Sequence, residues 1–134
     1  GEVQPNKVEE VIKNLKTIKS GSFTVFLNSI GIFPTENYIR VVWISLKPED
    51  RVVALQKNID DSLIRLFKKE KDFKPHITLA RVKYPEDKKD FIEQLRNIKI
   101  ENKKIEIKYF GLIKSTLTPK GPVYENLEVF FSHQ

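Results

Sequence analysis

An α+β fold is the expectation for this chain, and three observations carry it. Segments of helical and strand periodicity follow one another in mixed order. The strand segments alternate polar and apolar residues, the pattern of largely antiparallel sheets covered on one face. No solenoid-type repeat, low-complexity tract or linker interrupts the 134 residues, of which 40% are hydrophobic, so a single domain with its own core is expected over 1–134.

Residues 5–19 read as an amphipathic helix: Pro5 is allowed in a first turn, and Val8, Val11, Ile12, Leu15 and Ile18 recur at helical spacing before Ser20-Gly21 stops it. Residues 23–30 and 38–46 are rich in β-branched and aromatic side chains. Between them Gly31-Ile32-Phe33-Pro34-Thr35-Glu36-Asn37 supplies turn residues, which predicts a hairpin. Lys47-Pro48-Glu49-Asp50 breaks the second strand and places acids where a helix begins. Val52, Leu55, Ile59, Leu63 and Leu66 carry that helix to about Phe67.

A polar loop over 68–74 leads to Pro75, tolerated at a strand start, and a strand over 76–82. Tyr84-Pro85-Glu86-Asp87 opens a third helix, with Phe91, Ile92 and Leu95 on its inner side. Ile105, Ile107 and Tyr109 alternate with Glu106 and Lys108 as a half-buried strand whose expected partner spans 123–131. The intervening Lys114-Ser115-Thr116-Leu117-Thr118-Pro119-Lys120-Gly121-Pro122 reads as a loop too long for a tight hairpin, dense in hydroxyls and lysines that suit an anion.

Composition narrows the chemistry. The absence of cysteine removes disulfides, thiolate nucleophiles and zinc-thiolate sites, and no apolar run approaches the roughly 20 residues that span a bilayer. A soluble, cytoplasmic protein without membrane contact is expected. The net charge of +6 favours anionic partners such as nucleic acid or nucleotides, through steering more than tight nonspecific binding. No Gly-rich phosphate loop or nucleophile elbow occurs, and Asp60-Asp61 point to different helix faces, so neither a metal nor a cofactor is expected.

Of the 2 histidines, His133 adjoins the C-terminal residue and is expected to be frayed, which leaves His76. In Pro75-His76-Ile77-Thr78-Leu79-Ala80-Arg81 the strand period of two puts His76 and Thr78 on one face, over an apolar anchor of Ile77 and Leu79. An imidazole beside a hydroxyl and a guanidinium suits proton transfer at a phosphate. Arg81 has the opposite parity, so it joins them only if the strand twists, bulges or ends there. The plainer reading of His76 is a hydrogen-bonded structural residue, that of Trp43 and Phe33 is core, and that of Tyr124 a core aromatic. An exposed aromatic near the hairpin turn could instead stack on a base.

The run Pro75-His76-Ile77-Thr78-Leu79-Ala80-Arg81-Val82-Lys83 resembles the second His-x-Thr motif of the two-histidine phosphoesterase superfamily, in particular the archaeal and bacterial RNA 2',3'-cyclic phosphodiesterases, historically called 2'-5' RNA ligases. Two further stretches match in order: Gly31-Ile32-Phe33-Pro34 followed by Arg40-Val41-Val42-Trp43, and residues 114–125. Several ordered motifs are far less prone to chance than one. The resemblance implies a two-lobed α+β fold whose largely antiparallel sheets flank a cleft with helices outside, each lobe giving one His-x-Thr motif. It also implies a metal-independent acid-base mechanism on RNA or nucleotides ending in a 2',3'-cyclic phosphate. In that scheme His76 is the general base, Thr78 holds the phosphate, Arg81 is a supporting cation, and Ser115 and Tyr124 are candidate substrate contacts. The product is a 2'-phosphomonoester, and the reverse reaction is 2'-5' ligation.

One departure stands out. Family members carry the first His-x-Thr motif upstream of a stretch similar to Gly1-Glu2-Val3, so this sequence is read as lacking the N-terminal strand, helix and strand that bear it. The absence of methionine agrees with processing or cutting from something longer. The chain alone is then expected to be inactive, its first motif supplied in cis or in trans. The rival expectations are a non-catalytic RNA-binding or nucleotide-binding module, and an inactive fragment.

Overall fold

The computed structural model describes residues 1–83 and 85–133; Tyr84, expected at the opening of the third helix, lies outside the described residues. Along the chain run α1 (Pro5–Leu15), β1 (Phe23–Thr35), β2 (Tyr38–Lys47), α2 (Asp50–Ser62), β3 (His76–Arg81), α3 (Lys88–Arg96), β4 (Lys104–Ile107), β5 (Tyr109–Thr118) and β6 (Gly121–Phe131). The α+β class holds, with antiparallel pairing of β1 with β2, β2 with β3, and β5 with β6. No helix among the described residues is long and apolar enough to cross a membrane.

The chain divides into two compact units. The first comprises residues 1–23, 54–73 and 106–134, the second 24–53 and 74–105. The first unit is built on Val11 and Leu15 of α1 and Phe130 of β6, packed with Ile12, Ile59, Leu63, Leu66, Phe110 and Leu112. Phe110 and Phe130, paired across the β5–β6 hairpin, stack with centroids 4.9 Å apart. Helix α1 stops at Leu15 rather than near residue 19, because the Thr17 hydroxyl donates to the Asn14 carbonyl at 2.6 Å and Ile18 N–H bonds Leu15 O, tightening the chain out of the helix. Helix α2 stops at Ser62 for a similar reason, its hydroxyl donating to Ile59 O at 2.8 Å. The apolar period beyond it is kept in turns, with Leu63 and Leu66 still packed.

The second unit holds the four-stranded sheet, ordered β3-β2-β1-β4. Helix α3 begins where the Asp87 carboxylate accepts from Asp90 N–H at 3.2 Å, an N-cap that satisfies a helix-end donor. Two expected loops turn out to be sheet. Gly31, Ile32 and Phe33 are paired with Trp43, Val42 and Val41, so the turn shrinks to Glu36-Asn37, with Tyr38 N–H bonded to the Thr35 hydroxyl. Gly31 is there because the Trp43 indole lies across it; a Cβ would collide with the ring.

Residues 114–118 and 121–122 likewise pair, Thr118 with Gly121, leaving a two-residue turn at Pro119-Lys120. Gly121 supplies a φ of 114°, which side chains with a Cβ resist, and the Thr118 hydroxyl donates to its carbonyl at 2.6 Å. The strand expected through Ile105, Ile107 and Tyr109 is two strands: β4 joins the four-stranded sheet and β5 pairs with β6.

Candidate functional site

The site is assembled on β2 and β3 of the second unit. Ser45 pairs with His76, Trp43 with Thr78 and Val41 with Arg81, while Val42 pairs with Ala80. Between Trp43 and Val42 the register slips by one, so Leu79 is an extra residue on β3, a β-bulge. Residues directly opposite in an antiparallel pair share a face, and 41, 43 and 45 share one face of β2. His76, Thr78 and Arg81 therefore lie on one face of the sheet, and the bulge at Leu79 resolves the parity conflict in the sequence. All six residues of β3 are solvent-exposed.

The same face continues onto β1 through Gly31 and Phe33, opposite Trp43 and Val41. Phe33 and Trp43 stack with centroids 4.8 Å apart and 20° between their planes. Against them stands the His76 ring, 5.4 Å from Phe33 at 84° and 6.0 Å from Trp43 at 70°. Perpendicular contacts of this kind are a favoured aromatic geometry. Ser45, buried and opposite His76, accepts Ser29 N–H at 3.0 Å, and the two hydroxyls are 3.0 Å apart.

The orientation of His76 comes from the main chain. Its Nδ1 lies 2.5 Å from the Lys74 carbonyl oxygen. A carbonyl can only accept, so Nδ1 carries the proton and the neutral ring keeps its lone pair on Nε2. Buried Pro75 separates the two residues, and Lys74 Nζ lies 5.1 Å from the Trp43 ring centroid. The arrangement offers an exposed proton acceptor, a hydroxyl two residues away and two cations.

Ser115 and Tyr124 belong to the other unit. They are direct partners across the β5–β6 hairpin, both exposed. Neither makes a side-chain hydrogen bond among the described residues. Tyr124, at 62% exposure, is not the core aromatic it could have been. Phe33 and Trp43 do meet the core expectation, Phe33 half-buried and Trp43 fully, yet they also flank His76. Ser45, Ser29 and the Lys74 carbonyl were not foreseen. A main-chain acceptor leaves no mark in side-chain identities, and two serines within β-rich runs give no signal of pairing. Among the described residues no group of three or more His, Cys, Asp or Glu side chains is placed to hold a metal ion.

Comparison with known proteins places the chain as a whole. A family model described as LigT-like phosphoesterase matches residues 44–124. A protein of Methanocaldococcus jannaschii named RNA 2',3'-cyclic phosphodiesterase is 39% identical, over 93% of this chain and 72% of its own length. One of Archaeoglobus fulgidus with the same name is 34% identical, over 97% of this chain and 74% of its own. Among solved structures, a Thermus thermophilus protein superposes with a TM-score of 0.71 at 26% identity, covering 98% of this chain and 73% of its own. Escherichia coli LigT complexed with 3'-AMP gives 0.75 at 23%, over all of this chain and 73% of its own, a likeness of fold.

Proposed function

The chain belongs to the LigT-like phosphoesterase family, and from that premise we propose that it acts on RNA or nucleotide 2',3'-cyclic phosphate ends, hydrolysing them to 2'-phosphomonoesters. Relatives named RNA 2',3'-cyclic phosphodiesterase support the reaction class. The observation that carries the reading to particular residues is the bulge at Leu79, which puts His76, Thr78 and Arg81 on one face, with the His76 lone pair left on Nε2.

In the proposed mechanism His76 Nε2 takes a proton from water as the water oxygen attacks phosphorus. The P–O3' bond breaks, and the departing ribose oxygen is protonated by an acid. Charge that builds on the phosphoryl oxygens is met by the Thr78 hydroxyl and the Arg81 guanidinium, so that fixed donors supply the stabilisation without a metal. The family scheme makes the acid a second imidazole. The only other histidine of the sequence is His133, in the other unit, and its backbone N–H donates to Ser20 O at 2.8 Å. The proposal therefore takes the acid from a first His-x-Thr motif outside residues 1–134, in cis or in trans. Run backwards, the same proton transfers join a 2'-5' linkage. Ser115 and Tyr124 are proposed as RNA contacts in their own right, through the hydroxyls they present on the hairpin.

The test mixes the chain, alone and with a polypeptide carrying the first motif, with a nucleoside 2',3'-cyclic phosphate. Hydrolysis by the complemented protein, lost on His76→Ala, is the expected result. An inactive complemented protein, or full activity in His76→Ala, sinks the assignment. Salt-sensitive binding of short RNA without turnover would favour a non-catalytic binding module.

A further inference from the structure

Resting on that reading of His76, we propose that Phe33 and Trp43 are positioning residues, a stacked aromatic wall that holds the imidazole in the orientation its proton transfer needs. The Lys74 carbonyl fixes one ring nitrogen. One hydrogen bond alone leaves the ring free to rotate about it. Phe33 and Trp43 close that freedom, meeting the imidazole at 84° and 70°.

The interior around Trp43 is built for its ring and not for its N–H. Its residue is 7% exposed, and its Nε1 has no hydrogen-bond partner among the described residues. A buried donor left unpaired is costly, and an aliphatic side chain there avoids that cost. The facing strand nevertheless carries glycine at position 31, where any Cβ would strike the indole. A costly ring and a cut-out opposite it make sense together if the flat aromatic surface is the feature in use. Phe33 extends that surface, stacked at 4.8 Å, and stands nearer than Trp43 to the His76 ring. Lys74 then touches the assembly twice, with its carbonyl on His76 and its ammonium on the indole.

Long-range ¹H–¹⁵N NMR of the imidazole nitrogens in residues 1–134 tests this apart from activity. In the unsubstituted chain, at a pH alkaline enough to keep the imidazole neutral, the proton should sit on Nδ1. Phe33→Leu, at a half-buried position, should give a mixture of tautomers, and Phe33→Tyr should restore the single form. Should Phe33→Leu fail to fold, Trp43→Phe and Trp43→Leu ask the same question from the other ring, the first keeping the signature and the second blurring it. In the complemented protein Phe33→Leu should lower kcat about ten- to a hundredfold with KM nearly unchanged, as expected for lost alignment. A folded Phe33→Leu with the imidazole signature and kcat intact overturns the inference, and so does a loss that Phe33→Tyr shares. If the complemented wild type does not hydrolyse the cyclic phosphate, the proposed reaction fails while the NMR result still decides the positioning role.

Discussion

Strand β3 and the turn end of the β5–β6 hairpin are alike in the open: both are antiparallel, both exposed, and both carry hydroxyls beside cations. They differ in what stands beneath. His76 has a carbonyl on one nitrogen, two aromatic rings at its sides and a buried serine opposite it. Ser115 and Tyr124 have each other across the hairpin, and the apolar packing of that unit reaches Phe110, Leu112 and Phe130 farther along the same strands. Chemistry demands side chains held within fractions of an ångström, while binding tolerates looser ones. Under the proposed function, proton transfer falls to β3 and, at most, contact to the hairpin.

The sharpest attempt to break that division compares substitutions in the two places. His76→Ala should lower hydrolysis by the complemented protein about 10²- to 10⁴-fold. Ser115→Ala and Tyr124→Phe should each cost less than about tenfold, as losses of single hydrogen bonds to substrate. Steady-state rates on an RNA with a 2',3'-cyclic phosphate end measure both, and equal losses would erase the distinction.

A second comparison concerns packing. Phe130→Ala removes a buried ring from the hairpin's core and should cost about 3–5 kcal/mol in urea unfolding. While the protein remains folded, the imidazole signature of His76 should not change, because Phe130 belongs to the other unit. A shifted signature would mean that the two regions share more than the chain.

Third, Arg81→Ala should weaken binding of inorganic phosphate or a nucleoside 2'-phosphate about ten- to a hundredfold, the worth of a charge-assisted hydrogen bond. Ala80→Arg in that background should not rescue it, since residue 80 faces the opposite side. Deleting Leu79 leaves Arg81 opposite Val41 in an unbroken ladder and should largely spare binding. Rescue by Ala80→Arg, read by titration calorimetry, would refute the bulge as the device that brings the cation to the site.

The smallest effect lies in the ion pair of Lys69 with Asp61, 2.5 Å apart and about half exposed. Hydrogen bonding to Lys69 holds the Asp61 carboxyl below its ordinary 3.8, and Asp61 in turn raises Lys69. The folded-state value of Asp61 is depressed, so its contribution is present above 3.8 and is lost as pH falls through the lower folded value. For Lys69 the contribution is present below 10.5 and lost as pH rises through the raised one. Lys69→Ala should leave urea stability at pH 7 almost untouched, as exposed pairs do, with the remaining difference from wild type gone in strong acid.

Much of this was legible in the sequence where one periodicity acted alone. Val11, Leu15, Ile59 and Leu63 announced their helices and the core they fill. Reading failed where turn-forming residues had been recruited into sheet. Gly31 and Gly121 look alike as loop signals, yet Gly31 makes room for an indole within β1 and only Gly121 adopts a turn conformation. His76 and Thr78 could be placed on one face from their spacing. Arg81 could not, because a bulge is a decision of pairing between β2 and β3 and is invisible in either strand alone.

The hydrogen bond from His76 to Lys74 joins residues two apart in the chain. Its acceptor is common to every amino acid, so position 74 can drift in identity without losing this hydrogen bond. The spacing cannot drift. Inserting or deleting a single residue between 74 and 76 would carry the oxygen out of reach, which leaves this acceptor indifferent to the side chain that bears it and the stretch unforgiving of changes in length.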